Sequence, residues 1–157
     1  MRGKTHNAAS LFAAAIVFSF LNIDHKLMLL IGLFLGGYFP DIDIDTAKIS
    51  KIFKDTSKVI RAFFGHREAF HSLLFPVAVY AAILIALPEA LPFARGFLLG
   101  VVIHLFLDSF NKKGVPWLWP SKILRVRGPF KSNGVADTFL TTVFTFGAIL
   151  VFAMSFL

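Results

Sequence analysis

Cysteine is absent from the 157 residues, which excludes disulfide scaffolds, thiolate metal sites and cysteine nucleophiles. Charge is also scarce. Asp, Glu, Lys and Arg make up 16% of the chain, against about 25% in an ordinary soluble domain. Within that small share acids are the rarer sign: 9 Asp+Glu face 16 Lys+Arg, for a formal net charge of +7. There is no internal repeat, no low-complexity tract and no Gly-x-Ser-x-Gly elbow for serine chemistry. What the chain has instead is 57% hydrophobic residues, 20 Phe and a mean hydropathy of +0.75. A disordered chain and an ordinary soluble enzyme are both excluded. The length suits one membrane-embedded domain, 1–157.

A membrane-crossing helix needs about 20 mostly apolar residues. Five stretches approach that length: Thr5 to Ile23, Leu27 to Pro40, Ala69 to Pro88, Leu91 to Phe110 and Thr138 to Leu157. The second is too short to cross at full thickness without help and reads as a short or re-entrant span. The expected fold class is therefore all-α, a polytopic membrane helical bundle of about five spans. Arg2 and Lys4 before an apolar run resemble a signal peptide, but no small-x-small cleavage pattern follows, so the first span reads as an uncleaved anchor.

Lys and Arg set the orientation. With the N-terminus inside, segments 1–4, 41–68 and 111–136 hold 14 of the 16 basic residues, and only Lys26 and Arg95 fall outside. The expected localisation is thus the cell membrane, multi-pass, with the N-terminus cytoplasmic. The pI of about 10.0 then reports topology and contact with anionic lipid. Nucleic acid is not an expected partner, because the basic residues lack aromatic interleaving and any known nucleic-acid motif; membrane lipids are. In segment 47–64, Lys48, Lys51, Lys54, Lys58 and Arg61 fall within an arc of about 140° at helical spacing. Ile49, Ile52, Phe53, Val59, Ile60, Phe63 and Phe64 fill the opposite side. Such a segment reads as an interfacial amphipathic helix, with a helix packed on the bundle as the plainer alternative. Trp117 and Trp119 suit the headgroup level.

Ionisable groups in or at the edge of apolar spans are costly and ask for a reason. Here they are His6, Asp41, Asp43, His66, Arg67, His71, His104 and Asp108. The topology set by Lys and Arg puts all eight on the cytoplasmic side. His104 and Asp108 are four apart, on one face of a helix. In extended backbone Asp41, Asp43 and Asp45 would point alike, although the loop is no EF-hand, since Thr46 and Ile52 stand where Gly and Glu are needed. His66, Arg67 and His71 supply two imidazoles and a guanidinium suited to phosphate. Singly, a span-end His is an interfacial residue and the Asp residues are turn carboxylates. Together, His6, Asp41, Asp43, His66, His71, His104 and Asp108 read as ligands for divalent metal, zinc first, and this N/O set suits zinc, manganese or iron rather than soft-metal chemistry. Asp24 and His25, in a short loop across the membrane, read as solvated.

Four stretches occur in order: Lys4-Thr5-His6, Pro40-Asp41-Ile42-Asp43, Gly65-His66-Arg67 with His71-Ser72, and His104 and Asp108 followed by Gly114-Val115-Pro116-Trp117-Leu118-Trp119-Pro120. From about residue 4 to 120 they resemble the YdjM-like family of inner-membrane proteins, regarded as metal-dependent hydrolases distantly related to zinc-dependent phospholipases C. The resemblance implies an inner-membrane location, phosphoester hydrolysis and His and Asp ligands. It maps onto His6, Asp41, Asp43, His66, Arg67, His71, His104 and Asp108. One departure is Ile44-Asp45 after Asp43, where the family pattern has His-Pro.

The expected function is a membrane-bound metal-dependent hydrolase of phosphoester bonds, those of phospholipids included, acting at the cytoplasmic surface on a small-molecule or lipid substrate. Asp43 is the candidate proton acceptor and Arg67 the candidate phosphoryl clamp. The alternative is a non-enzymatic metal-binding membrane protein: a transporter, a sensor or a structural metal site. A transporter places polar groups near the midplane and commonly shows inverted repeats, whereas here they gather at one rim.

Overall fold

The computed structural model describes residues 1–43, 70–121 and 123–157, apart from the side chains of Ile42 and Asp43. The amphipathic segment 47–64, Asp45, His66 and Arg67 lie outside the described residues. Within them are five α-helices: α1 (Gly3–Phe20), α2 (Lys26–Tyr38), α3 (Leu74–Ala86), α4 (Leu91–Ser109) and α5 (Val135–Met154). Short 3-10 turns occupy Phe39–Asp43 and Pro88–Ala90, and a two-residue hairpin pairs β1 (Val115–Pro116) with β2 (Arg125–Val126).

Among the described residues, two stretches are long and apolar enough to cross a membrane, Pro88–Ser109 with 22 residues and Val135–Met154 with 20. α3 is apolar but has 13 residues. α1 has 18 but carries Lys4, His6 and Asn7 in its first two turns, and α2 has 13. Of the five expected spans, two therefore meet the length and composition of a crossing helix outright.

Proline and left-handed residues punctuate these elements. α2 gives way to a 3-10 turn at Pro40, and α3 stops before Pro88, since a proline ring disfavours helical backbone in the residue before it. Pro92 sits in the first turn of α4, where its missing N–H goes unneeded. His25 (φ 57°) turns the chain from α1 into α2, and Asn133 (φ 66°) precedes α5.

α2 and α4 make the closest approach. Gly32 and Gly36 on α2 face Gly96 and Gly100 on α4, each pair four residues apart. A Cβ at any of the four would run into backbone of the opposite helix: the carbonyls of Phe93, Phe97, Leu29 and Leu33 respectively. The contacts ascend together, so the two helices are parallel. Small residues at this spacing let backbones meet where apolar burial gives no advantage over lipid. α1 and α5 also run parallel, with Thr5 against Thr141 (2.9 Å between hydroxyls), Phe12 against Phe144 and Phe18 against Phe152. α5 packs chiefly on α1 and bares the rest of its apolar surface; Val135 is 88% and Phe146 68% exposed.

Phe97, Val101 and Leu105 of α4 form the core with Val115 of the hairpin, and Phe39, Leu73, Phe75 and Trp117 pack around them. The loop after α4 is therefore part of the bundle. Lys112 N–H donates to the Phe130 carbonyl (2.9 Å), Phe130 N–H to that of Phe110 (3.1 Å) and Leu73 N–H to that of Trp117 (3.0 Å). Trp117 donates its indole N–H to the Ser109 hydroxyl (2.8 Å).

Candidate metal centre

α4 supplies the frame. His104 and Asp108 stand one turn apart, and both are buried. The His104 Nδ1–H donates to the Gly37 carbonyl at 2.8 Å, at the end of α2, where the Gly36/Gly100 contact brings the backbones together. That bond fixes the tautomer and leaves the Nε2 lone pair facing inward. α1 adds His6, whose ring stacks on that of His104 with centroids 3.8 Å apart and planes 6° from parallel. The turn before α3 adds His71, whose ring stands at 78° to His104 with centroids 5.6 Å apart. The 3-10 turn after α2 adds Asp41.

These groups converge. His104 Nε2 lies 3.7 Å from Asp41 Oδ1 and 3.8 Å from Asp108 Oδ2. His71 Nε2 lies 4.0 Å from Asp41 Oδ1 and 3.9 Å from Asp108 Oδ2. His6 Nε2 is 3.2 Å from the other Asp108 oxygen, Oδ1, which also receives the Met1 amino group. The ligand atoms of two sets of three lie within 4.8 Å of one another, His6 with His104 and Asp108, and Asp41 with His71 and His104. The side chains of His6, His71, His104 and Asp108 are at most 5% exposed, and that of Asp41 is 20% exposed.

Among the described residues, His104 Nε2 and both nitrogens of His6 have no hydrogen-bond partner. A buried polar atom left unsatisfied costs about 1–3 kcal/mol, so His104 Nε2, which faces two carboxylates, fits a cation that would engage it. The donor set of imidazole nitrogen and carboxylate oxygen suits zinc, manganese or iron.

Of the seven ligands expected from the sequence, the structure brings five together: His6, Asp41, His71, His104 and Asp108. His66 and Arg67 lie outside the described residues, and of Asp43 only the backbone is described. That backbone departs from expectation. Residues 39–43 form a 3-10 turn, so the alternation of an extended strand is not the geometry adopted there; Pro40 fixes φ in a helical range and the turn simply continues α2.

One residue of the site's surroundings escaped the sequence reading. Asp137, 1% exposed at the start of α5, takes the backbone N–H of Arg2 (3.2 Å) and of Asn133 (2.9 Å), the Arg2 Nε–H (3.1 Å) and the Thr5 hydroxyl. It ties the first turn of α1, and with it His6, to α5. Its signal in the sequence is only a carboxylate in a first helical turn, which ordinarily reads as a complement to the helix dipole.

Apolar helices built around a buried cluster of imidazoles and carboxylates define a membrane-type protein with a candidate cation site. The chain belongs to the YdjM inner membrane protein family, whose profile matches residues 1–156. It is 34% identical to YvsG of Bacillus subtilis (strain 168) over 161 residues, 99% of this chain and 97% of that protein. It is 37% identical over 87 residues to the inner membrane proteins YdjM of Escherichia coli (strain K12) and of Shigella flexneri, covering 53% of this chain and 44% of theirs. No solved structure matches it.

Proposed function

We propose that this protein is a metal-dependent hydrolase of phosphoester bonds, embedded in the inner membrane with its site at the cytoplasmic rim. The observation that carries the metal reading is the convergence of His71 and His104 Nε2 on Asp41 and Asp108 oxygens at 3.7–4.0 Å in a nearly closed interior. A divalent cation there would supply an activated water near neutral pH and polarise the scissile phosphoryl group. Asp41 is the most open of the five groups and marks the side from which substrate would enter. Asp43, next along the same turn, would accept the proton from water, and Arg67 would hold a phosphoryl oxygen with its planar fork. Small-molecule and lipid phosphoesters both fit this chemistry, and contact with membrane lipid follows from the exposed apolar face of α5.

The helix directions are compatible with a chain that crosses five times, and the Lys and Arg distribution supports an inside N-terminus. α1 and α5 run one way, α2 and α4 the other, as alternate crossings require. In that topology the basic segments and the His/Asp cluster share the cytoplasmic side. A second reading, a structural metal that fastens helices together without turnover, draws on the closed burial of four of the five groups, since structural sites are typically closed.

Metal analysis of the detergent-purified protein, with a screen of phosphomonoester, phosphodiester and phospholipid substrates, tests the proposal. Bound metal with turnover supports the hydrolase; bound metal without turnover on any class supports the structural site. Arg67→Lys separates them further. It keeps the charge and loses the bidentate fork, so a hydrolase should retain its metal and lose roughly tenfold in rate, about 1.4 kcal/mol in the barrier.

A further inference from the structure

The resemblance assigns His6 to the metal alongside His104, but the geometry divides them. An imidazole lone pair lies in the plane of its ring. The His6 and His104 rings are stacked, 6° from parallel with centroids 3.8 Å apart. A cation bonded to both would stand between the two planes, far out of each, because a zinc–nitrogen bond reaches only about 2.0–2.1 Å. No lone pair points there. His71 stands at 78° to His104, so those two lone pairs can converge on one point, and Asp41 Oδ1 and Asp108 Oδ2 lie 3.7–4.0 Å from both Nε2 atoms. Those four atoms offer an N2O2 donor set.

We infer that His6 is not a ligand of that ion but a positioning residue for Asp108. Its Nε2 is 3.2 Å from Asp108 Oδ1, the carboxylate oxygen turned away from His71 and His104. An Nε2–H at that distance attracts Oδ1 and holds the carboxylate with Oδ2 toward His71 and His104. Outer partners of this kind orient a ligand and change metal affinity by about 10–100-fold without entering the shell. The face-to-face packing on His104 restrains that ring as well. The inference rests on the metal reading of the site.

The test uses the full chain in detergent, stripped by chelator and titrated with cobalt(II), whose visible bands report ligand number and type. The parent should bind one cobalt per chain, and His104→Ala should abolish the bands. His6→Leu should keep the same band pattern and stoichiometry with affinity lowered about 10–100-fold, and His6→Gln, whose amide N–H can still reach Oδ1, should recover most of that loss. If His6→Leu loses the bands as His104→Ala does, or if the parent binds two cobalt ions and His6→Leu one, His6 is a ligand and the positioning role is overturned. Unchanged affinity in His6→Leu overturns it too. Should His6→Leu fail to insert, His6→Gln decides alone, because an amide in place of a ligating imidazole would shift the bands. A parent that binds no cobalt removes the metal reading itself.

Discussion

His104 shows how one side chain can be committed twice. Its Nδ1 is bound to the Gly37 carbonyl and its Nε2 faces Asp41 and Asp108, so its loss would remove both a link to α2 and a candidate ligand. His25 makes the useful comparison: exposed at the turn between α1 and α2, it lies far along both helices from the cluster. His104→Ala should therefore cost most of the bound metal, measured by elemental analysis per chain, whereas His25→Ala should cost none. Equal losses would show that metal in the preparation is carried elsewhere. At this scale the sequence is informative wherever spacing is short. Four residues on one helix place His104 beside Asp108 without knowledge of the fold, and basic-residue asymmetry puts His6, Asp41 and His71 on the same side. The stacking of His6 on His104 is not legible, because ring orientation depends on how two helices remote in sequence cross. Asp137 is not legible for a related reason: its partners Arg2 and Thr5 lie at the other end of the chain.

Among the elements, the α2–α4 contact has the least room. Adding side-chain bulk to a packed interface typically costs about 1–3 kcal/mol, and at Gly100 even a Cβ meets the Leu33 carbonyl backbone, which cannot swing aside as a flexible side chain would. Gly100→Val should lower the thermal midpoint in detergent and weaken metal binding together, since the same contact sets the Gly37 carbonyl against His104. Gly3→Ala, where an added Cβ meets nothing within 4 Å, should leave both unchanged. A glycine pair four apart can be seen in either helix by eye, yet each pair has meaning only against the other, and no single-segment pattern names its partner. The same holds for the 3-10 turn at 39–43. Alternating Asp and Ile suggest a strand, but the turn inherits its path from α2 and Pro40, which local alternation does not register.

Taken as a whole molecule, the bundle alternates: α1 and α5 parallel, α2 and α4 parallel to each other and opposed to α1. The composition already excludes water as the surroundings of most of this surface, and α5, apolar and largely bare, agrees. Because the chain contains no Cys, single introduced thiols can be labelled without background. Asn22→Cys, between α1 and α2, should react with an impermeant reagent from outside the cell, and Ser57→Cys only after the membrane is opened. The reverse pattern would turn the protein over and move the His/Asp cluster to the external face.

The pairing of the first helix with the last also constrains how the protein is made. α1 leaves the ribosome well before α5, so its main partner, and the Asp137 carboxylate that holds Arg2 and Thr5, comes only after residue 134. Until then His6 rides on a helix with one flank unpaired, so the cluster on α4 is finished only once α5 is in place. A chain stopped after Asn133 keeps every one of the candidate ligands. It should nevertheless bind metal more weakly than the full chain, and supplying α5 as a separate peptide during membrane insertion should restore the difference.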